Sequence, residues 1–336
     1  MDSRTSRRSF LILLFLSGCG IGSRSVQAIQ LTIGTVSYGA ANSGNQYDRF
    51  KQYLAEKLQA VIQFEPAFNE RKALERIKAQ AWSIVFAPPG LAAIAMSQYQ
   101  YTPLFPLVGV NNLRSVLVVP KESPISDLQA LSGKRLAIGQ PGSATGYYFP
   151  IFNLYGLTLK ELLVTSTPKA VLEAIAQGTA DAGALSLEEF NLYKSQLSSA
   201  EFRILYNDPH KVPAGVVLVS PSVDRTLLES IRKVLGDTPS VVAQEAGFVP
   251  TGTVPDYKYM ISVVDRVRAI FPADRAEGAA LLAQKPVRLF TDGQPAAPQA
   301  ASPAPASPTA SPASESPAST PDASPTASSS PAPGSP

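Results

Sequence analysis

Short apolar runs alternate with amphipathic stretches along most of this chain, and the alternation occurs twice. Leu31-Thr32-Ile33-Gly34-Thr35-Val36 reads as a strand. A helical stretch follows, with Tyr47, Phe50, Leu54 and Leu58 at helical spacing. Val61 to Glu65 is the next strand, Leu74, Ile77 and Ala81 mark a helix, and Ser83 to Phe86 is a third strand stopped by Pro88-Pro89-Gly90. A helix is expected from about Leu91 to Ser97, and another strand over Leu104 to Val110. The second round runs through Arg135 to Gly139, a turn over Gln140 to Gly146, Leu162 to Thr165, a helix carrying Val171, Leu172 and Ile175, and Ala180 to Leu185. Alternation of this kind is the pattern of a mostly parallel sheet with helices on its faces.

Two further apolar runs, Ser115 to Val119 and Gly215 to Val219, bracket the second round. The expectation is an α/β fold of two βα lobes joined by a two-strand hinge. Residues 28–113 form the first part of lobe 1, 114–213 form lobe 2, and 214–292 return to lobe 1 with C-terminal helices. Ligands of open α/β sheets bind beyond the carboxyl ends of the strands, so two facing lobes direct their loops at one cleft.

The ends read differently. Arg7-Arg8 precede Phe10 to Leu16, and Leu16-Ser17-Gly18-Cys19 closes the run. A charged start, a short apolar core and small residues make residues 1–18 a signal peptide of Sec or twin-arginine type. The box ending at Cys19 resembles the bacterial lipobox, which makes Cys19 the lipidation site and the membrane anchor. From Gly293 the chain is dominated by Pro, Ala, Ser and Thr, with no large apolar residue after Phe290. Residues 293–336 are expected to be a disordered tail, since they cannot bury enough surface to offset chain entropy.

Composition removes several functions. The chain holds one cysteine and one histidine, which excludes a disulfide framework and a Cys/His metal site. Ser-His-Asp or Cys-His catalysis would have to use His210. The formal net charge of +3 leaves no basic field for nucleic acid. The expectation is a binding protein and not an enzyme, with no cofactor and no metal, acting as a monomer.

The most informative loop is Pro141-Gly142-Ser143-Ala144-Thr145-Gly146, which leaves a strand and opens a helix. Unpaired N–H groups of a first turn, two hydroxyls and close backbone approach at the glycines suit an oxyanion. Ser143 or Thr145 acting only as helix caps explains the same residues. Tyr38 holds the corresponding place after the first strand, and Glu188 opens the helix after Leu185-Ser186-Leu187. Either could serve packing or helix stabilisation instead. His210, with no carboxylate pattern around it, reads as a surface residue.

From Leu31 to Phe290 the order resembles the phosphate/phosphite/phosphonate substrate-binding family of ABC importers, proteins like the phosphonate-binding periplasmic protein. The resemblance rests on Leu31 to Gly34, on Ser115 to Ile125, on Pro141 to Tyr147, on Ala174 to Gly183 and on Pro213-Ala214-Gly215. It implies a type II-like periplasmic binding fold and transport of a phosphonate, phosphite or phosphate. It also implies a permease and an ATPase as partners, and a periplasmic place in the cell envelope. By resemblance, Ser143, Ala144, Thr145 and Gly146 hold the oxyanion, Tyr38 faces it, Ser166 or Thr167 stands where the family has a histidine, and Glu188 fits the first of two acids that hold an amine. Gly215 or Val216 stands near the place of the second acid, which is missing here, and this gives an expectation of amine-free oxyanions. A bilobal sensor or scaffold lipoprotein without transport is the alternative. An enzyme of bilobal fold, porphobilinogen deaminase, needs a cysteine-held cofactor, and Cys19 is already used.

Overall fold

A computed structural model describes residues 28–37, 45–109, 113–197, 200–272 and 276–290. The signal segment, Cys19, Tyr38 and the 293–336 tail lie outside the described residues.

The first round of the pattern gives β1 (Ile29–Val36), α1 (Asp48–Leu58), β2 (Ala60–Ala67), α2 (Glu70–Lys78), β3 (Ile84–Ala87), α3 (Pro89–Tyr99) and β4 (Thr102–Pro106). The second gives β5 (Ser115–Pro120), β6 (Arg135–Ile138), a π-type turn over Ala144–Tyr148, α4 (Phe149–Asn153), β7 (Thr158–Leu159), β8 (Glu161–Val164), α5 (Pro168–Ala176), β9 (Ala182–Ser186), α6 (Leu187–Lys194) and β10 (Phe202–Asn207). The return consists of β11 (Val216–Val219), α7 (Arg225–Gly236), α8 (Ser240–Ala246), α9 (Lys258–Ile270), α10 (Ala276–Ala283) and β12 (Val287–Arg288).

The strands build two five-stranded sheets of matching design. Lobe 1 has the order β2-β1-β3-β11-β4 and lobe 2 the order β8-β6-β9-β5-β10. In each, the fourth strand alone, β11 or β5, runs antiparallel to the other four. The two apolar runs read as hinge strands are therefore sheet members, β5 in lobe 2 and β11 in lobe 1. The links that cross between lobes are the segments between β4 and β5 and between β10 and β11. Pro88-Pro89 stop β3 but also start α3, with Pro88 at the N-cap and Pro89 in the first turn.

Strand alternation sends side chains to two faces. Ile84 and Phe86 join Phe50, Leu54, Ile231 and Phe248 under α1, α7 and α8. Val116 and Val118 join Val171, Leu172 and Phe190 under α5 and α6. The opposite faces meet in one core: Val85 and Ala87 of β3 share it with Leu117 and Val119 of β5, with Leu91 to Ala95 of α3, with Tyr147 to Phe149, and with Val263, Val264 and Val267 of α9. The inner faces of both lobes thus contribute to a single continuous apolar cluster.

Candidate functional site

The loops beyond β6, β8 and β9 surround a small cavity that opens to solvent. Gly139, Gln140, Ser143 and Gly146 line it from the loop after β6, and Thr165 to Pro168 and Val171 from the β8–α5 junction. Ala184, Leu185 and Glu189 come from β9 and α6, and Glu70 reaches in from α2 of the other lobe.

Local capping positions each of these groups. Ser143 is extended, and its Oγ accepts from the Gly146 N–H at 3.0 Å, so it caps the π-type turn. The Gly139 N–H donates to the Gly146 carbonyl at 2.9 Å, folding the loop back on its own strand. The Ser115 hydroxyl donates to the Thr145 carbonyl at 2.6 Å. Gly142 has φ +114°, a backbone state that side chains resist. A Cβ there would also sit 2.7 Å from the Glu70 Cβ and 2.8 Å from Leu91 Cδ2. Thr167 caps α5 by accepting from Ala170 N–H at 3.2 Å, with Pro168 as the first helical residue. The Thr165 hydroxyl donates to the Ile138 carbonyl at 3.0 Å.

Two carboxylates belong to this cavity. Glu70 opens α2 behind the Asn69 cap and is only 5% exposed. Glu189 closes a reciprocal capping box: its amide donates to Ser186 Oγ at 3.1 Å while its Oε2 accepts from the Ser186 N–H at 2.8 Å. Burial pushes the Glu189 carboxyl above its ordinary range, and the Ser186 bonds offset part of that. No Lys, Arg or His is among the lining residues. The positive charge on offer is therefore that of the helix starts at α2, α5 and α6. Among the described residues no group of three His, Cys, Asp or Glu side chains is placed to hold a metal, and no helix is long and apolar enough to cross a membrane.

Of the residues singled out in the sequence, Ser143, Gly146 and Thr167 come together at the cavity. Ala144 and Thr145 are 5% and 6% exposed in the buried turn, and neither lines the cavity. Glu188 lies beside it, with a buried Oε2 that has no hydrogen-bond partner among the described residues. Its neighbour Glu189 does line the cavity. The pattern Ser186-x-x-Glu189 is a capping-box signal, and it could have identified Glu189 from sequence. Nothing local to Glu70 marks it, since it arrives from the opposite lobe.

The lobes meet beside this cavity. The Arg71 N–H in the first turn of α2 donates to Gln140 Oε1 at 3.3 Å. Gly90 of α3 lies so near the lobe 2 loop that a Cβ on it would fall 2.2 Å from the Gly142 carbonyl oxygen.

The family described as the periplasmic substrate-binding protein of phosphonate ABC transporters matches residues 33–247. Solved structures share the architecture at low identity. A protein of Xanthomonas citri bound to ATP is 19% identical with a TM-score of 0.58, covering 72% of this chain and 99% of its own. A binding protein component of an ABC phosphonate transporter from Pseudomonas aeruginosa is 14% identical with a TM-score of 0.56, covering 76% and 93%. PhnD1 of Prochlorococcus marinus, in complex with methylphosphonate, is 17% identical with a TM-score of 0.53, covering 72% and 99%. The two sheets and their order are those of a type II periplasmic binding fold.

Proposed function

Because the chain belongs to the family of periplasmic substrate-binding proteins of phosphonate ABC transporters, we propose that it captures a small phosphonate-class oxyanion in the cavity between β6, β8 and β9 and presents it to a permease and its ATPase. The observation that carries this reading is the cavity itself, which gathers the capped starts of the π-type turn, α5 and α6 around hydroxyls and backbone amides. Ligand oxygens accept from these neutral donors. Charge-assisted bonds of this kind are about twice as strong as neutral ones, and each contributes roughly 1.5–3 kcal/mol.

The acids refine the ligand class. A doubly charged phosphate entering the cavity would meet the carboxyl groups of Glu70 and Glu189 on its lining. A phosphonate that also carries an ammonium group brings its own counter-charge to those carboxylates. The expectation of an amine-free ligand rested on Gly215, where no acid stands. In this reading Glu70 of α2 serves as the second acid, and the preferred solute is an aminophosphonate.

In this reading the protein is a monomer held at the membrane by acylated Cys19, and the Pro-rich tail is a solvated spacer. A thermal-shift panel tests the ligand class with phosphate, phosphite, methylphosphonate, 2-aminoethylphosphonate and sulfate. A rise in melting temperature with the phosphonates is expected. No shift with any phosphorus oxyanion would overturn the proposal.

A further inference from the structure

The contact between Gly90 and Gly142 is unusual because neither residue contributes a side chain to it, yet it joins the two lobes at the edge of the cavity. Gly90 lies in the first turn of α3. A Cβ on it would fall 2.2 Å from the Gly142 oxygen and 2.7 Å from the Ala144 nitrogen. The atoms in the way are backbone, so no flexible side chain can move aside. On the other side of the loop, Gly142 lies against Glu70 and Leu91. The loop is therefore held between the starts of α2 and α3, and the Arg71 N–H to Gln140 bond fixes a second point of the same seam. Behind it, Leu91 and Ala92 share a buried cluster with Ala144, Tyr147 and Tyr148.

We propose that Gly90 is a positioning residue for ligand binding: lacking a side chain, it lets α3 of lobe 1 rest directly on the Gly142–Ala144 peptides, and this docking fixes the oxyanion-binding loop in its working shape. This rests on the reading of the cavity as the ligand site. It adds that the site is completed from the opposite lobe by a backbone-to-backbone contact. A protein whose competent state depends on such a seam loses affinity in proportion to the fraction of molecules in which the seam is open.

Gly90 is a clean position for a test. Its backbone is not in the left-handed region, and alanine is the better helix residue, so Gly90→Ala leaves α3 itself no worse off. What it does is wedge the seam. With 2-aminoethylphosphonate as probe, titration of the full chain should show the apparent Kd raised at least about tenfold. The far-UV circular dichroism should be unchanged, and small-angle scattering of the ligand-free variant should show a larger radius of gyration than wild type. A merely structural glycine would lose melting temperature without this change in scattering. Unchanged affinity together with an unchanged radius of gyration would overturn the proposal.

Two measurements on the wild-type chain keep the test independent of the variant's folding and of the ligand. Hydrogen exchange without ligand should show the amides of residues 139–146 protected and opening together with those at the start of α3. Free exchange of that loop in the ligand-free protein would overturn the docked seam. If no phosphonate binds wild type, the ligand assignment fails, while scattering and exchange still decide the seam.

Discussion

Asp208 and His210 are bound twice over: Asp208 Oδ1 accepts from the His210 amide at 2.8 Å and lies 2.9 Å from its Nδ1. The Asp208 carboxylate is fully buried, and its Oδ2 accepts from Asn153 Nδ2 at 2.6 Å. Its backbone N–H donates to the Ser115 carbonyl at 2.9 Å, and its carbonyl accepts from Arg114 at 2.8 Å. The two segments that cross between lobes are thereby fastened to each other and to α4. The His210 ring also stacks on Tyr259 of α9 at 4.6 Å.

Asp208→Ala should therefore destabilise the protein by about 1.5–3 kcal/mol, because it removes the buried carboxylate that accepts from the Asn153 amide and the His210 N–H. His210→Ala, whose side chain is 44% exposed, should lose less than half of that. Urea denaturation of both variants measures the difference. Equal losses, or a greater loss for His210→Ala, would contradict this account of the crossing.

Gly34 and Trp82 share one volume. A Cβ on Gly34 of β1 would lie 1.9 Å from Trp82 Cδ2, and the indole is fully buried with its Nε1–H donating to Glu65 Oε2 at 3.1 Å. Gly34→Ala should cost about 3 kcal/mol or more, as overpacking of a rigid ring does. Trp82 is the single tryptophan, so its fluorescence reports the change directly.

Two carboxyls should tilt stability in opposite directions with pH. Arg135 holds Asp181 below the ordinary carboxylate range through side-chain bonds at 2.7 and 3.2 Å and a backbone bond at 2.8 Å. A depressed native pKa adds stability above the unfolded value, and this is lost as pH falls through the native one. Asp181→Asn should melt lower than wild type at pH 7, and the gap should close below about pH 4. Glu189, raised by burial, has the reverse sign. Glu189→Gln should gain on wild type as pH rises from about 4, the ordinary glutamate value. Parallel melting curves across pH 3 to 7, a range spanning both roughly normal carboxyl values, would contradict both assignments.

On the proposal that Cys19 carries the acyl chains, Cys19→Ala should release the protein from the membrane fraction. Cell fractionation followed by detection of the protein in the pellet or the supernatant decides this, and a variant that still pellets would refute the anchor.

Much of the fold was legible because its signals are local. Ile84 to Phe86 and Val216 to Val219 are apolar runs that only a buried strand explains, and Phe50, Leu54 and Leu58 repeat at helical spacing on α1. β10 gave no such signal: its residues Phe202 to Asn207 are all half-buried or exposed at a sheet edge. Sheet membership was also hidden, since Ser115 to Val119 looks the same as a hinge or as an inner strand. At the site, the turn at Gly142 to Gly146 could be read because glycine and hydroxyl residues mark it. Glu70 could not be, for it is brought there by the packing of one lobe against the other. Likewise Asp208 stands only two residues from His210, but its burial depends on Asn153 and Ser115 far away in sequence.

Calorimetric titration of the processed chain at neutral pH tests the central claim most directly, comparing 2-aminoethylphosphonate with methylphosphonate in wild type and in Glu70→Gln. The account predicts saturable one-to-one binding, with the aminophosphonate tighter by about tenfold or more, equivalent to ~1.4 kcal/mol, and a ratio that collapses in the Glu70→Gln variant. No heat from either phosphonate, or tighter binding of methylphosphonate by wild type, would contradict it.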